Sequence, residues 1–258
     1  MHIVICTDSS YLRQIRVMLT SLFLNNRGRN VNIHILFSGE QHHNLEPLKK
    51  WIIACKQQVT VHLFNSKSIR HLKVTDHIST ATYIRFFIPD ILSESIEKVL
   101  YLDIDLIVDS DINELWETDI KSDYAAAVFP EGNKDFNAGV LLVNLRKWRE
   151  NKISSRLVEW ATENNHNLRF WDQDVLNHIL RGNVKPLDNR WNQLKTTGGK
   201  GIIHYAGSHK PWDPFYNNSN KKYYFKYLKK TPMWFDLYKL RLIKLMAIFS
   251  NFKNRIFN

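Results

Sequence analysis

Two aspartates one residue apart, Asp103 and Asp105, follow the apolar run Leu100-Tyr101-Leu102 and give the clearest chemical signal in the chain. Side chains alternate along a strand, so both carboxylates are expected on one side at the carboxyl end of a strand, where open α/β sheets place their ligands. Like charges that close raise each other's pKa unless a cation neutralises them, and hard oxygen ligands favour Mg²⁺ or Mn²⁺. Standing alone, so short a motif reads more readily as a solvated turn at a strand end. His204 stands shortly before the glycine turn Ala206-Gly207-Ser208, with Lys210 just beyond it. That places an imidazole and an ammonium together near a backbone that can approach a ligand closely.

The elements that position these groups follow from hydrophobic periodicity. Apolar runs at residues 2–6, 31–37 and 59–64 alternate with helical patterns at 12–25 and 41–56, the βαβ signature of a mostly parallel sheet. Residues 80–87 suit a short helix stopped by Pro89, and 97–102 supply the strand that ends in acid. Residues 139–143 predict a compact strand, and 145–149, 153–164 and 172–180 predict helices. A loop is expected over 196–201 and a short strand over 202–205. No internal repeat is visible.

At 258 residues and 44% hydrophobic content, the chain is long enough for one large α/β domain over 1–218, followed by a basic, aromatic appendage over 219–258. Only Cys6 and Cys55 are present, which fits buried thiols in a reducing compartment better than a disulfide framework. The first residues lead straight into a strand with no basic leader, and no apolar run reaches the length of a membrane span, so a cytoplasmic location is expected. The net charge of +11 is uneven: residues 219–258 hold ten Lys/Arg against one acid, Asp236. So local an excess points away from a nucleic-acid surface and toward one contact with something anionic.

Six segments in order carry a resemblance. They are Thr7-Asp8-Ser9-Ser10-Tyr11; Tyr83-Ile84-Arg85; Tyr101-Leu102-Asp103-Ile104-Asp105; the stretch from Phe136 through Asn137-Ala138-Gly139 to Asn144; Asp172-Gln173-Asp174; and His204 through Gly207 and Lys210 to Trp212. With these the chain resembles the retaining glycosyltransferases of family eight, which include bacterial lipopolysaccharide galactosyl- and glucosyltransferases and the glycogenins. The resemblance implies a GT-A, Rossmann-like fold with a mostly parallel mixed sheet. It also implies transfer of a hexose from a UDP-sugar with Mn²⁺ or Mg²⁺ bound.

Carried over position by position, the resemblance implies that Thr7, Asp8 and Tyr11 hold the uracil, the acid accepting from the base and the ring stacking on it. Asp103, Asp105 and His204 would ligate the metal, with Ile104 beside them. Gly207 and Lys210 would meet the diphosphate, and Arg85, Asn137, Ala138, Gly139 and Asp172 the donor sugar. Gln173 matches the residue near the anomeric carbon. An amide is a poor nucleophile beside a carboxylate, so front-face attack is expected, with Gln173, Asp172 and Lys210 as the catalytic set. Galactose is placed narrowly ahead of glucose, and a lipopolysaccharide or other glycan ahead of a glycoprotein acceptor. A non-catalytic nucleotide-sugar-binding module and a metal-dependent nucleotidyltransferase are the competing classes.

In the tail, Thr231-Pro232 predicts the start of a final helix. Trp234, Phe235, Tyr238, Leu242, Leu245, Phe249, Phe252 and Ile256 recur mostly every three or four residues, while Lys239, Arg241, Lys244 and Arg255 lie largely elsewhere on the wheel. Such a cationic amphipathic helix suits the inner, anionic face of a membrane; docking on the protein's own core is the alternative.

Overall fold

In the computed structural model, residues 1–39, 42–65, 69, 72, 80–195, 200–235 and 246 are described. The N-terminal run forms β1 (His2–Thr7), fully buried from Ile3 onward, which is why it reads as a continuous apolar stretch rather than an alternating one. Helix α1 (Leu12–Asn25) returns the chain to β2 (Asn32–Ser38), and α2 (Glu46–Ala54) returns it to β3 (Gln58–Phe64). All three strands pair in parallel. The helix expected over 41–56 is shorter at its start, because residues 42–45 form a 3₁₀ turn before Pro47 opens α2.

A 3₁₀ helix over Thr80–Phe87 runs into α3 (Ile88–Ile91) and then β4 (Lys98–Leu102). Pro89 was expected to stop this helix; it sits instead in the first turn of α3, where its missing N–H has no intrahelical partner to lose. Then follow β5 (Leu106–Val108), α4 (Asn113–Trp116), β6 (Ala125–Val128) and β7 (Asn137–Asn144). Helices α5 (Leu145–Glu150), α6 (Ile153–Glu163) and α7 (Asp172–Ile179) lead to β8 (Val184–Pro186), β9 (Ile202–His204) and α8 (Lys221–Leu228).

Among the described residues, seven strands form one sheet in the order β3-β2-β1-β4-β7-β6-β8. β1 and β4 are parallel neighbours, whereas β7 runs antiparallel to both β4 and β6, so the expected mixed, mostly parallel sheet is what forms. β5 and β9 pair as a separate antiparallel ribbon, Leu106 opposite His204. One buried cluster on one side of the sheet includes Tyr83, Phe86, Trp148 and Leu157, and a second includes Ile15, Met18, Leu22 and Phe37. Each such fully buried side chain contributes about 1.5–3 kcal/mol of apolar burial.

Helix α8 was not anticipated. Its Tyr224, Tyr227 and Leu228 pack with Val17 of α1, Ile107 of β5 and Ile203 of β9. The expected loop at 196–199 and most of the expected final helix, residues 236–245 and 247–258, lie outside the described residues. No helix among the described residues is long and apolar enough to cross a membrane. Both cysteines are free thiols.

Candidate active site

After β1 the chain turns one way, to β2 and β3; after β4 it turns the other, to β7 and β6. The carboxyl ends of β1 and β4 therefore flank the point where strand order reverses, the place where an open sheet leaves a crevice. A cavity of about 740 Å³ opens there. Its lining includes all fifteen residues singled out in the sequence: Thr7, Asp8, Tyr11, Arg85, Asp103, Ile104, Asp105, Asn137, Ala138, Gly139, Asp172, Gln173, His204, Gly207 and Lys210.

Asp103 and Asp105 converge, though not by strand alternation. β4 ends at Leu102 and the pair lies in the bend before β5. Ribbon pairing of β5 with β9 brings His204 across to them. Its Nε2 stands 3.3 Å from Asp105 Oδ1 and 3.9 Å from Asp103 Oδ2. One ligand atom from each of the three residues lies within 4.8 Å of the others, the separation that ligands of one ion adopt. The space between them is kept by Gly139 on β7, where a Cβ would fall 2.3 Å from His204 Cε1 and 2.8 Å from Asp103 Oδ2. Two carboxylates, one imidazole and a cradle that a methyl group would fill form a site fit for a divalent cation such as Mn²⁺ or Mg²⁺.

Lys210 closes the other side. Its Nζ contacts Asp105 Oδ2 at 2.5 Å and the Tyr205 carbonyl at 2.8 Å. Burial alone would raise the Asp105 carboxyl, but the charge and hydrogen bond of a protonated His204 ring, together with those of the Lys210 ammonium, outweigh it and hold the group below the usual carboxylate range. Gly207 takes φ +97°, a conformation that side chains other than glycine's rarely adopt, so the turn before Lys210 depends on it.

Arg85, only 6% exposed, ties the site together. Its Nη2 meets Asp103 Oδ1 at 2.9 Å, its Nε meets Asp172 Oδ2 at 3.1 Å, and its Nη1 donates to the Ala138 carbonyl at 2.9 Å. The guanidinium lies 4.3 Å from the centre of the Tyr101 ring, whose hydroxyl donates to Asp103 Oδ1. Burial would strip its proton more easily, yet the two carboxylates keep it firmly charged. Burial raises the Asp172 carboxyl, with Arg85 and the Thr82 hydroxyl, 2.6 Å from Oδ1, opposing.

Gln173, on the first turn of α7, accepts at Oε1 from Asn137 Nδ2 and from the Ala138 N–H, both at 3.1 Å. Asp174 faces away: its Oδ2 accepts from the N–H groups of Arg169 and Phe170. Asp8 caps the 3₁₀ turn Ser9–Tyr11 by accepting from the Ser10 N–H, which sets Tyr11 at the cavity rim. Sequence reasoning missed Thr82, Phe170 and Trp171 among the lining residues, and Asn192 behind His204. Two successive aromatics beside an Asp-Gln pair were a usable signal for Phe170 and Trp171; an asparagine after a tryptophan gave none.

Comparison with known proteins agrees with this geometry. Residues 2–215 match Glycosyl transferase family 8. General stress protein A of Bacillus subtilis is 28% identical, over 90% of this chain and 94% of that protein. The lipopolysaccharide 1,2-glucosyltransferase of Escherichia coli is 26% identical, over 89% of this chain and 77% of its own length. The galactosyltransferase LgtC, solved with donor and acceptor sugar analogues, superposes with a TM-score of 0.81 at 24% identity, covering 90% of this chain and 96% of that one. That likeness is one of fold. With a family match that spans most of the chain, and a cation-ready cluster at the switch point of the sheet, the protein belongs to glycosyl transferase family 8.

Proposed function

We propose that the chain is a metal-dependent, retaining hexosyltransferase that uses a UDP-sugar donor and a glycan acceptor. The observation that carries this reading is the convergence of Asp103, Asp105 and His204 at the floor of one cavity. Asp103, Asp105 and His204 would hold a divalent cation, which when bound would supply positive charge to the diphosphate.

The chain's own residues do the rest. Tyr11 offers a ring face to the uracil and Asp8 an acceptor to its edge. Lys210 is a second positive charge beside the diphosphate, on a turn that Gly207 lets approach closely. Arg85 holds Asp103 and Asp172 in fixed positions, and Asp172 presents its carboxylate to the donor sugar.

In the reaction, the acceptor hydroxyl bonds to the anomeric carbon on the face from which UDP departs. The carbon–phosphate-oxygen bond breaks, and the hydroxyl proton passes to a phosphate oxygen. Configuration is retained. Gln173 serves this step as a fixed dipole near the oxocarbenium ion, not as a nucleophile, because Oε1 already accepts two hydrogen bonds.

The test is to mix the protein with Mn²⁺ and UDP-galactose or UDP-glucose separately and follow UDP release. Sugar-specific slow hydrolysis supports the transferase, with galactose the donor expected. Pyrophosphate release would identify a nucleotidyltransferase, and tight binding without turnover a binding module. Gln173→Ala is expected to slow release without abolishing it.

The acceptor is read as a lipid-linked oligosaccharide, in keeping with relatives that act on lipopolysaccharide. The basic, aromatic stretch after Thr231 supports a peripheral position on the inner face of the cell membrane, each basic residue near an anionic surface adding about 1 kcal/mol. Truncation after Thr231 should abolish binding to anionic vesicles; unchanged binding removes the membrane reading.

A further inference from the structure

Which nitrogen of His204 carries the proton is decided by groups outside the metal cluster. A backbone N–H can only donate, so the Gly139 N–H, 3.0 Å from Asn137 Oδ1, identifies that atom as an acceptor. Asn192 places the other amide end against the same oxygen, Nδ2 at 2.8 Å. Its remaining end, Oδ1, then faces His204 Nδ1 at 2.9 Å. An oxygen there accepts, so the neutral imidazole bears its proton on Nδ1 and turns a lone pair at Nε2 toward Asp103 and Asp105.

The Ala138 N–H fixes Gln173 in the same manner, leaving Asn137 Nδ2 as the donor to Gln173 Oε1. The polarity of the whole row, from Gln173 through Asn137 and Asn192 to His204, is thus dictated by two successive peptide groups of β7.

We propose that Asn192 is a positioning residue for the metal ligand: it passes the polarity of the β7 backbone to His204 and so keeps Nε2 available to a divalent cation. The alternative tautomer, with the proton on Nε2, would donate to the Asp105 and Asp103 carboxylates and close the site to the metal. Nothing within the triad itself prevents it. Asn192 and His204 are 3% and 4% exposed, so bulk water does not substitute for the amide. Asn192 is held in turn by its position: its own N–H donates to the Asn189 carbonyl, and the adjacent Gln193 bridges to β9 through Gln193 N–H to Ile202 O and His204 N–H to Gln193 O.

The inference rests on the Asp103–Asp105–His204 reading and adds the residue that orients one of its members. The test uses the full chain, wild type and the variants Asn192→Leu and Asn192→Asp, with two readouts. The first is calorimetric titration with Mn²⁺ alone. The second is ¹⁵N spectroscopy of histidine-labelled protein without metal, at a pH above the imidazole's titration, with His204 assigned by its loss in His204→Gln.

Wild type is expected to show the proton on Nδ1. Asn192→Leu should move it to Nε2 and weaken Mn²⁺ binding about 10–100-fold, the range typical for losing a metal ligand's outer partner. Asn192→Asp keeps an acceptor against Nδ1, though it loses the donor to Asn137 Oδ1, and should retain the tautomer and bind Mn²⁺ more tightly than Asn192→Leu does, a rescue that a merely structural role would not give. A proton on Nε2 in wild type or in Asn192→Asp overturns the proposal, as does undiminished Mn²⁺ affinity in Asn192→Leu. Should that variant not fold, the other two proteins decide the matter. Absence of Mn²⁺ binding by wild type would overturn the metal-site reading instead, and the tautomer would still be read separately.

Discussion

A Cβ placed on Gly139 would come within 2.3 Å of His204 Cε1, closer than real side-chain contacts allow. His204 is buried and bonded to Asn192, so it cannot step aside cheaply. Gly139 has no positive φ, and exchanging glycine for alanine in a strand otherwise stabilises by about 0.5–1 kcal/mol. Gly139→Ala should therefore displace His204 or Asp103, the clash costing about 1–3 kcal/mol against that gain. Mn²⁺ affinity and UDP release are both expected to fall by at least about tenfold, as for loss of a well-placed ligand's support. Calorimetry and a coupled UDP assay on the same preparation measure the two effects. Wild-type Mn²⁺ affinity in Gly139→Ala would mean the cation is not gripped where the cradle lies.

Arg85 stands between two carboxylates that are both largely hidden from water. Removing one partner from such a cluster leaves an uncompensated charge and costs about 3–5 kcal/mol. Arg85→Met should show that loss in urea unfolding near neutral pH. Arg85→Lys, whose point charge cannot reach Asp103, Asp172 and the Ala138 carbonyl together, should fall between the two. The pH dependence has a definite sign. Burial already raises the folded-state pKa of Asp172, with Arg85 opposing, and without the guanidinium it rises further. A folded state that binds more protons than the unfolded one gains stability as pH falls, so the deficit of Arg85→Met should shrink between about pH 8 and about pH 5. A deficit that grows on acidification would place the strain elsewhere.

Away from the cavity, His2, His34 and His62 stack across β1, β2 and β3, with ring nitrogens 3.0 and 3.2 Å apart along the row. Burial first, then the neighbouring His2 and His62, lowers the His34 pKa from 6.5 to about 4. The unfolded chain therefore binds a proton that the folded chain refuses. This contribution to stability is complete above about pH 6.5 and is lost as pH falls toward about 4, at roughly 1.4 kcal/mol per pH unit and about 3 kcal/mol in all. His2 and His62, lowered in the same direction, and the nearby N-terminal ammonium are the other charges to control. Chemical unfolding over that interval should be visibly less pH-dependent in His34→Gln than in wild type. Equal slopes would show that the ladder titrates freely in the folded protein.

Much of this was readable before any coordinates. The buried strands β1, β2 and β4 and the helices α1 and α7 announce themselves through unbroken apolar runs and a 3.6-residue period, and the reversal of strand order then locates the crevice. What escaped notice has physical reasons. In α8 the core-facing positions are tyrosines set among lysines, so a helix that buries Tyr224 and Tyr227 carries little hydropathy contrast. His204 meets the two aspartates through the β5–β9 ribbon, a long-range pairing that no local period encodes. Asn192 acts through hydrogen-bond direction, and direction leaves no trace in residue spacing.

Asp174 follows Gln173 in the chain, and its bonds give it a mechanical role. Oδ2 accepts from the N–H of Arg169 at 2.6 Å and of Phe170 at 2.7 Å, which pins the loop ahead of α7. That loop presents Phe170 to solvent and holds Trp171 at φ +48°, ψ −117°, a backbone conformation a non-glycine residue keeps only when its surroundings enforce it. Asp174→Asn retains one carbonyl acceptor for these N–H groups, so its turnover should stay within about tenfold of wild type. A nucleophilic carboxylate would instead lose on the order of 10³-fold or more when made an amide. Asp174→Ala releases the loop, and its loss should appear more in acceptor KM than in kcat. Steady-state kinetics of the two variants, with mass spectrometry of the protein quenched during turnover, separate the roles. A sugar found attached to Gln173 or Asp174, or an inert Asp174→Asn, would replace front-face attack by double displacement.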